Sequence, residues 1–182
     1  MTTADSGRFG AVIAKIDAVT FAACVGGSFC LAGIFVLVML EVLSRNLFGV
    51  SIPFSWDFAA YMMGGCFLLS SGNALKGGSH VRVTALFELL PPPAARLLAI
   101  AAGVVGFAIV CVLVYAIGNM TWLSFARGST SASVVKTPLW IPQAAMTAGA
   151  VVFGLQMVAQ VLRALRGELP MSESQIEIEE AV

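Results

Sequence analysis

Four long stretches of the sequence contain no charged side chain, and charged residues lie at both ends of each. The stretches run over residues 19–40, 58–75, 97–126 and 137–162. Their lengths are close to or above the roughly 20 residues that an α-helix needs to cross a hydrocarbon core of about 30 Å. The pattern therefore predicts an all-α integral membrane protein with four transmembrane helices.

The composition agrees with a chain that lies in a bilayer. Of the 182 residues, 59% are apolar and 11% are charged, whereas charged residues make up about a quarter of a soluble domain. Ten basic and ten acidic side chains cancel, so no overall field attracts nucleic acid, and nucleic-acid binding is set aside. The four cysteines lie in apolar runs without a CxxC spacing, which favours packing over a disulfide framework or a metal site.

Basic residues near the ends of the spans predict the orientation of the chain. Seven of them precede the first span, separate the second from the third, or follow the fourth, and three lie on the other side. The positive-inside rule then places both termini in the cytoplasm. Trp56, Trp122 and Trp140 all fall on the opposite, outer side, where tryptophan anchors helices in the interface.

The connection between the second and third spans has an amphipathic pattern. In "KGGSHVRVTALFELLPPP" glycines end the second span, apolar positions recur at helical spacing, and prolines stop the pattern. This segment is predicted to be a short amphipathic helix in the cytoplasmic interface. His80, the only histidine of the chain, and Arg82 then face lipid headgroups or a partner, and we interpret His80 as part of the scaffold.

These patterns divide the chain into three segments. Residues 1–18 are predicted to form a cytoplasmic N-terminal segment, and residues 19–166 a four-helix membrane domain. Residues 167–182 are acidic and poor in large apolar side chains, which predicts a flexible tail.

Charged side chains at the outer ends of the spans are the candidates for chemistry. Glu41 ends the first span, and Arg45 follows four residues later, a spacing that predicts an ion pair on one helix face. Asp57 opens the second helix, where a carboxylate complements the helix dipole. No charge lies at mid-span, no nucleophile has a neighbouring base, and one histidine is too few for the two axial ligands of a haem subunit. The residues predict neither an enzyme nor a bound cofactor or metal.

Pairs of small residues four positions apart recur in all four spans. Such pairs allow helix backbones to approach closely in a membrane. They predict a compact bundle that leaves other faces free for a second membrane protein. The pairs are Ala23 with Gly27, Ala60 with Gly64, Ala99 with Gly103, Ala102 with Gly106, Ala145 with Gly149, and Ala150 with Gly154.

The stretch from Ser44 to Pro91 resembles the DctQ-type small membrane subunit of tripartite ATP-independent periplasmic (TRAP) transporters. The family pattern is an R-x-x-F-G run, a tryptophan followed by acidic residues, an aromatic-rich helix, and G-x-H-[IV]-x-V-D before a proline-ended segment. Two positions depart from it, since Phe58 replaces the second acid and Thr84 replaces the aspartate. The residues that match are Arg45, Phe48, Gly49, Trp56, Asp57, Gly78, His80, Val81 and Val83. With Pro138, Trp140 and Pro142 of the closing span, the likeness covers about Val19 to Arg166.

The resemblance implies a non-enzymatic subunit that braces a large membrane subunit in the bacterial inner membrane. In such a transporter a periplasmic binding protein delivers an organic acid, and the large subunit carries the substrate site and uses the Na⁺ gradient, so this chain binds no cofactor. Arg45, Trp56 and Asp57 are then expected to contact the large subunit or the binding protein. His80 and Arg82 are expected to order the cytoplasmic interface, and membrane lipids are a further partner.

Other interpretations of the residues stay open at this point. A self-sufficient carrier or channel, working as a homo-oligomer, requires Glu41, Asp57 or the polar cluster of the second span to line a water-filled path. A membrane-bound redox enzyme requires a haem or flavin that an optical spectrum detects. For the single sites, Arg45 can pair with Glu41 alone and Arg82 can bind phospholipid headgroups alone.

Overall fold

The computed structural model of the chain describes residues 3–77 and 91–165. This part of the chain contains four α-helices and no strand, which confirms the predicted all-α class. The predicted amphipathic helix with His80 and Arg82, and the predicted tail, lie outside the described residues. The helices are α1 (Thr3–Phe48), α2 (Ser55–Lys76), α3 (Pro92–Ala126) and α4 (Trp140–Leu165).

Helix α1 extends beyond the apolar span in both directions. It is one continuous helix of 46 residues, whereas the apolar pattern marks only residues 19–40. A charged residue ends an apolar run, but it does not interrupt the backbone hydrogen bonds of a helix, and Glu, Lys and Arg are good helix formers. Hydropathy therefore locates the part of α1 that suits a membrane and not the ends of the helix.

Helix α4, unlike α1, begins after the start of its apolar span. Residues 129–139 form a loop closed by two backbone hydrogen bonds, from Ser131 to Thr137 at 2.8 Å and from Leu139 to Ser129 at 3.0 Å. Pro142 then lies in the first turn of α4, where its missing N–H costs no intrahelical hydrogen bond.

Glycines with positive φ follow the ends of α1 and α3. Gly49 has φ +67° and Gly128 has φ +60°, a left-handed conformation that side chains with a Cβ disfavour. After α3 the amide of Ser129 donates to Ser124 at 2.9 Å and that of Gly128 to Phe125 at 3.2 Å, the two bonds of a Schellman motif. Both turns reverse the chain, so consecutive helices α1 and α2, and α3 and α4, run antiparallel.

The helices pack side by side in the order α1, α2, α4, α3. Helix α1 packs on α2, α2 on α4, and α4 on α3, with a smaller contact between α1 and α4. The central helices α2 and α4 run in the same direction, since Gly64 approaches Met146 and Gln160 donates to the carbonyl of Leu75. The flanking helices expose large apolar side chains such as Phe29.

Glycines set the distances between these helices. All six glycines of the small-residue pairs have an atom of a neighbouring helix within 4 Å of an ideal Cβ position, which confirms the predicted close packing. The tightest backbone approach is at Gly149, where that position lies 2.8 Å from the carbonyl carbon of Leu68 and the amide nitrogen of Leu69. At this point α4 crosses α2 with no room for a side chain.

Three helices of the described part have the length and apolarity of membrane spans. They cover Gly10–Phe48, Pro93–Ala126 and Trp140–Leu165, with hydropathy of 2.4, 3.0 and 1.6. Helix α2, which contains Ser70, Ser71 and Asn73, is not one of them. A fourth crossing by α2 therefore stays a prediction at this stage.

Candidate functional site

Glu41, near the C-terminal end of α1, is the centre of a hydrogen-bonded cluster. Arg45 Nη2 donates to its Oε1 at 2.8 Å, and Ser51 Oγ donates to the same oxygen at 2.6 Å. The backbone amide of Ile52 donates to Oε2 at 2.7 Å. The hydroxyl of Ser55 lies 3.3 Å from Oε2 and 2.9 Å from the carbonyl of Ile52, so its single proton serves either acceptor. The carboxylate thus fixes the turn between α1 and α2.

Glu41 and Arg45 are in contact, as their spacing predicts, but they differ in exposure. The side chain of Glu41 is 9% exposed, whereas that of Arg45 is 58% exposed. The carboxylate is buried because residues 49–54 fold back over it and supply hydrogen-bond donors. Local spacing predicts an i,i+4 pair, but it does not reveal that the following loop encloses one partner.

We expect Glu41→Ala to loosen this turn, because the Ile52 amide loses its charged acceptor. Hydrogen exchange of the Ile52 amide should become about tenfold faster, because the turn then opens more often. Mass spectrometry of exchanged peptides covering residues 49–55 measures this effect, and Glu41→Gln, which keeps one acceptor oxygen, should have an intermediate rate. Ser28→Ala is the matched control, since among the described residues that hydroxyl donates to the carbonyl of Cys24 in its own helix. Unchanged exchange in Glu41→Ala would show that the carboxylate does not hold the turn.

A cavity of about 230 Å³, called the outer cavity, opens between the ends of α1 and α2 on the predicted outer side. Val38, Val42 and Ala59 form apolar walls, and Arg45 and Trp56 also line it. The indole of Trp56 is 69% exposed. The structure therefore brings together Arg45 and Trp56, two of the three residues expected at the outer contact.

Asp57, the third of those residues, does not line the cavity. It lies in the first turn of α2, where its charge complements the helix dipole. Within residues 3–77 and 91–165 its carboxylate has no hydrogen bond or ion pair.

At the other end of the bundle, Asp17 of α1 contacts the C-terminal ends of α2 and α4. Its Oδ2 lies 2.6 Å from Arg163 Nη2 and 3.2 Å from Lys76 Nζ. Gln156 Nε2 donates to Oδ1 at 3.3 Å, and Thr20 Oγ1 lies 3.0 Å from Gln156 Oε1. Thr20 and Gln156 are fully buried. This Asp17 cluster joins three helices through one carboxylate.

Sequence reasoning missed the Asp17 cluster, because Asp17 served only to mark the boundary of the first span. A signal was present, since Asp17, Lys76 and Arg163 all border spans on the predicted cytoplasmic side and carry opposite charges. Charged residues at the ends of packed membrane helices tend to pair with one another.

Arg96 makes a second contact between helices on the predicted cytoplasmic side. Its Nε donates to the carbonyl of Ala164 at 3.0 Å, and its Nη2 donates to that of Leu165. These carbonyls belong to the last described turn of α4. The guanidinium of α3 therefore joins the start of α3 to this part of α4.

The two polar ends of the bundle are about one bilayer thickness apart. The rise from Asp17 to Glu41 along α1 is about 36 Å, and that from Ser55 to Lys76 along α2 is about 32 Å, against a hydrocarbon core of about 30 Å. All three tryptophans lie at the Glu41 end, because α2 and α4 begin there and α3 ends there. Two of them form a cluster with Phe125, with ring centroids 6.2 Å away for Trp122 and 5.6 Å for Trp140.

Comparison with known proteins gives one family match. The sequence model of the family described as "Tripartite ATP-independent periplasmic transporters, DctQ component" matches residues 34–167. No curated protein and no solved structure matches the chain. The matched residues include the Glu41 cluster and the outer cavity, whereas Asp17 precedes them.

Proposed function

The chain belongs to the family of DctQ components of tripartite ATP-independent periplasmic transporters, and on this premise we propose that it braces the large membrane subunit of such a transporter. The members of this family are transporter components, and the family is not an enzyme family. Membership in a tripartite system implies a large membrane subunit and a binding protein as partners. The family and the three apolar helices together support a multi-pass membrane protein.

The observation that carries the bracing role is that polar clusters join the helices at both ends of the bundle. Asp17 joins α1 to α2 and α4, Arg96 joins α3 to α4, and Glu41 fixes the turn from α1 to α2. Close glycine contacts hold the helices between these ends. A bundle fixed in this way can act as a rigid support against which another membrane protein moves.

We propose that α2 also crosses the membrane, which gives four transmembrane helices with both termini in the cytoplasm. The support is geometric, because α2 begins beside Glu41 and ends beside Asp17, the two polar ends of α1. Its moderate apolarity fits a central position, since its serines and glycines face α1 and α4 more than lipid. The excess of basic residues at the Asp17 end supports a cytoplasmic location for that end.

The remaining details of the proposal rest on the family. The complex works in the bacterial inner membrane and takes up an organic acid that a periplasmic binding protein delivers, and the Na⁺ gradient drives uptake through the large subunit. This chain binds no cofactor. Arg45, Trp56 and Asp57 contact a partner at the outer face, and His80 and Arg82 contact a partner or lipids at the cytoplasmic face.

A self-sufficient carrier or channel is the alternative, and the described side chains give it less support. It requires polar groups along a water-filled path, but the carboxylate of Glu41 is enclosed by its own turn. The hydroxyl of Ser71 donates to the carbonyl of Phe67 in its own helix at 2.7 Å. Of the two carboxylates that the alternative invokes, Asp57 is the one without a partner among the described residues. The side chains of Ser70 and Asn73 make no hydrogen bond to a described residue either.

A pull-down from the native membrane tests the bracing role. The tagged chain, extracted in mild detergent, should recover a larger, many-spanning membrane protein in equal amount, as identified by mass spectrometry. A tagged membrane protein of similar size from the same cells is the control. Recovery of the chain alone, or only as a homo-oligomer, would contradict the proposal.

Reconstitution then separates the bracing role from the alternative. Vesicles with the chain alone should show no uptake of any tested carboxylate. Vesicles with the chain, the large subunit and the binding protein should take up the acid only when a Na⁺ gradient is present. Uptake by the chain alone that is lost in Asp57→Asn would instead favour the carrier.

A further inference from the structure

Helix α3 has an exposed stripe on the side that faces away from the bundle. Among the described helices α3 packs closely on α4, and its Gly103 and Gly106 approach side chains of α4. A helix turns by about 100° per residue, so the opposite side of α3 carries six exposed residues within an arc of about 80°. We call this stripe the α3 seam. Its residues are Ala101, Val105, Ala108, Val112, Tyr115 and Asn119.

The α3 seam has the spacing of a helix that packs against another helix. Its residues are alternately four and three positions apart, which is the heptad pattern of two helices that cross at about 20°. Ala101 and Ala108 are small, and small residues let two backbones approach closely in a membrane. Val105 and Val112 have stiff side chains, so packing them costs little rotamer freedom. The seam therefore fits a second helix within the membrane.

Two side chains of the seam are polar and have no hydrogen-bond partner among the described residues. They are Tyr115, which is 75% exposed, and Asn119, which lies one turn later and is also exposed. Along the helix Asn119 is about 10 Å and Tyr115 about 16 Å from the end of α3, so both lie inside the apolar span. Lipid tails offer neither donor nor acceptor, and an unpaired amide or hydroxyl is unfavourable in hydrocarbon. These two groups require a partner that supplies hydrogen bonds.

A second copy of this chain supplies matching groups at both depths. Two copies in one membrane have the same orientation, so their α3 helices meet as a parallel pair, and a twofold axis along the membrane normal places each seam residue opposite itself. A carboxamide has two donors and one acceptor, and a phenol is donor and acceptor. Asn119 and Tyr115 are thus each complementary to their own copy. The seam carries no charged residue, so no like charges meet.

We propose that the α3 seam pairs with the α3 seam of a second copy of this chain, as a parallel helix pair in which the two Asn119 side chains bond to each other. A single buried asparagine fixes the register of such a pair. The pairing goes beyond the bracing role, because it joins two small subunits and with them two transporter complexes. It leaves the exposed side of α1 free for the large subunit. Unlike the homo-oligomeric carrier, it requires no water-filled path.

Two differently tagged forms of the chain test the pairing. They are expressed together with the large subunit and the binding protein, and the membranes are extracted in mild detergent. Recovery through the first tag should bring down the form with the second tag as well as the large subunit. The two forms extracted separately and then mixed give the background that arises after extraction.

Variants of the seam separate the polar contact from the close packing. Asn119→Leu removes the amide and should reduce recovery of the second tag about tenfold, whereas Asn119→Gln, which keeps an amide, should retain part of it. Ala108→Phe places a bulky ring between the two backbones and should reduce recovery at least as much. Met120→Leu changes an exposed residue about 100° away from the seam and should leave recovery unchanged. Undiminished recovery of the large subunit shows that each variant is folded.

Photo-crosslinking in the membrane identifies what covers the seam. Tyr115→p-benzoylphenylalanine should give a product that carries both tags, with the crosslinked peptides both from α3. The same probe at Met120 is the matched control and should not give this product.

The outcomes distinguish this pairing from the proposed function. Crosslinks from position 115 to the large subunit or to phospholipid, or full recovery of the second tag in both Asn119→Leu and Ala108→Phe, would overturn the pairing. A wild-type chain that recovers the large subunit without the second tag would overturn the pairing and leave the proposed function intact. Recovery of the second tag without any large subunit would support the pairing and reject the proposed function.

Discussion

Gly149→Leu should prevent the bundle from assembling, and Gly149→Ala should lower its stability by about 2 kcal/mol, within the usual cost of overpacking a core. The reason is the crossing of α2 and α4, where a Cβ at position 149 would lie 2.8 Å from two backbone atoms of residues 68 and 69. Backbone atoms cannot rotate away as a side chain can, so the helices must separate. The change in tryptophan fluorescence during detergent unfolding and the amount of protein recovered from membranes measure the effect. Both should be smaller for the variants than for the wild type.

Gly118→Ala is the matched control for this crossing. An ideal Cβ at Gly118 lies 3.8 Å from the Thr147 methyl group, which is an ordinary van der Waals distance. Alanine also favours helix over glycine by about 1 kcal/mol, so this variant should be as stable as the wild type or more stable. Equal loss of stability in Gly118→Ala and Gly149→Ala would contradict the assignment of Gly149 to the tight crossing.

The sequence was sufficient to predict that the described part of the chain is helical and that its small-residue pairs lie at close contacts. Absence of charge over residues 19–40 and 97–126 follows from the cost of placing ions in hydrocarbon, so hydropathy alone identifies such spans. The small-residue pairs, such as Ala145 with Gly149, predict close contact because both members lie on one face of a helix. Neither inference requires knowledge of which helix is the neighbour.

The polar contacts depended on the tertiary arrangement and were only partly predictable. The pairing of Glu41 with Arg45 is local, and its spacing is visible in the sequence. The burial of Glu41 is not local, because it depends on the path of the turn that contains Ser51 and Ile52. The cavity beside it depends likewise on how α2 leaves that turn, so no sequence pattern marks Ala59 as a lining residue.

The order of the helices explains why the centre of the bundle was hard to identify from hydropathy. Helix α2 is the least apolar of the four predicted spans, yet it packs between α1 and α4. Membrane helices associate through small and polar residues rather than through hydrophobicity, because lipid is as apolar as leucine. The helices with the highest hydropathy, α1 and α3, accordingly lie on the flanks and present exposed apolar side chains. The exposed faces of α1 and α3 are thus available to lipid and to a partner.

The Asp17 cluster bears most directly on how the predicted cytoplasmic end of the bundle is stabilised. The Asp17 carboxylate contacts Lys76 of α2 and Arg163 of α4. Without the carboxylate, these two cations would face each other at the ends of two parallel helices. Such a carboxylate contributes more than an exposed ion pair, because the side chains of Asp17 and Arg163 are only 18% and 19% exposed. Gln156, which is fully buried, donates a further hydrogen bond to the same group.

Asp17→Ala should therefore destabilise the chain by about 3 kcal/mol, at the lower end of the range for breaking a buried ion pair, since some water reaches the cluster. Two cations, Lys76 and Arg163, then remain close together without a counter-charge. Tryptophan fluorescence during thermal or detergent unfolding measures the loss.

The double variant Asp17→Ala with Arg163→Ala should recover part of this stability, because the unpaired arginine is gone. Lys15→Gln, a charge change on an exposed residue of the same helix, should shift stability by less than about 0.5 kcal/mol. Equal effects of the Asp17 and Lys15 substitutions would show that the cluster does not hold the three helices together, and the support for a rigid cytoplasmic end would be lost.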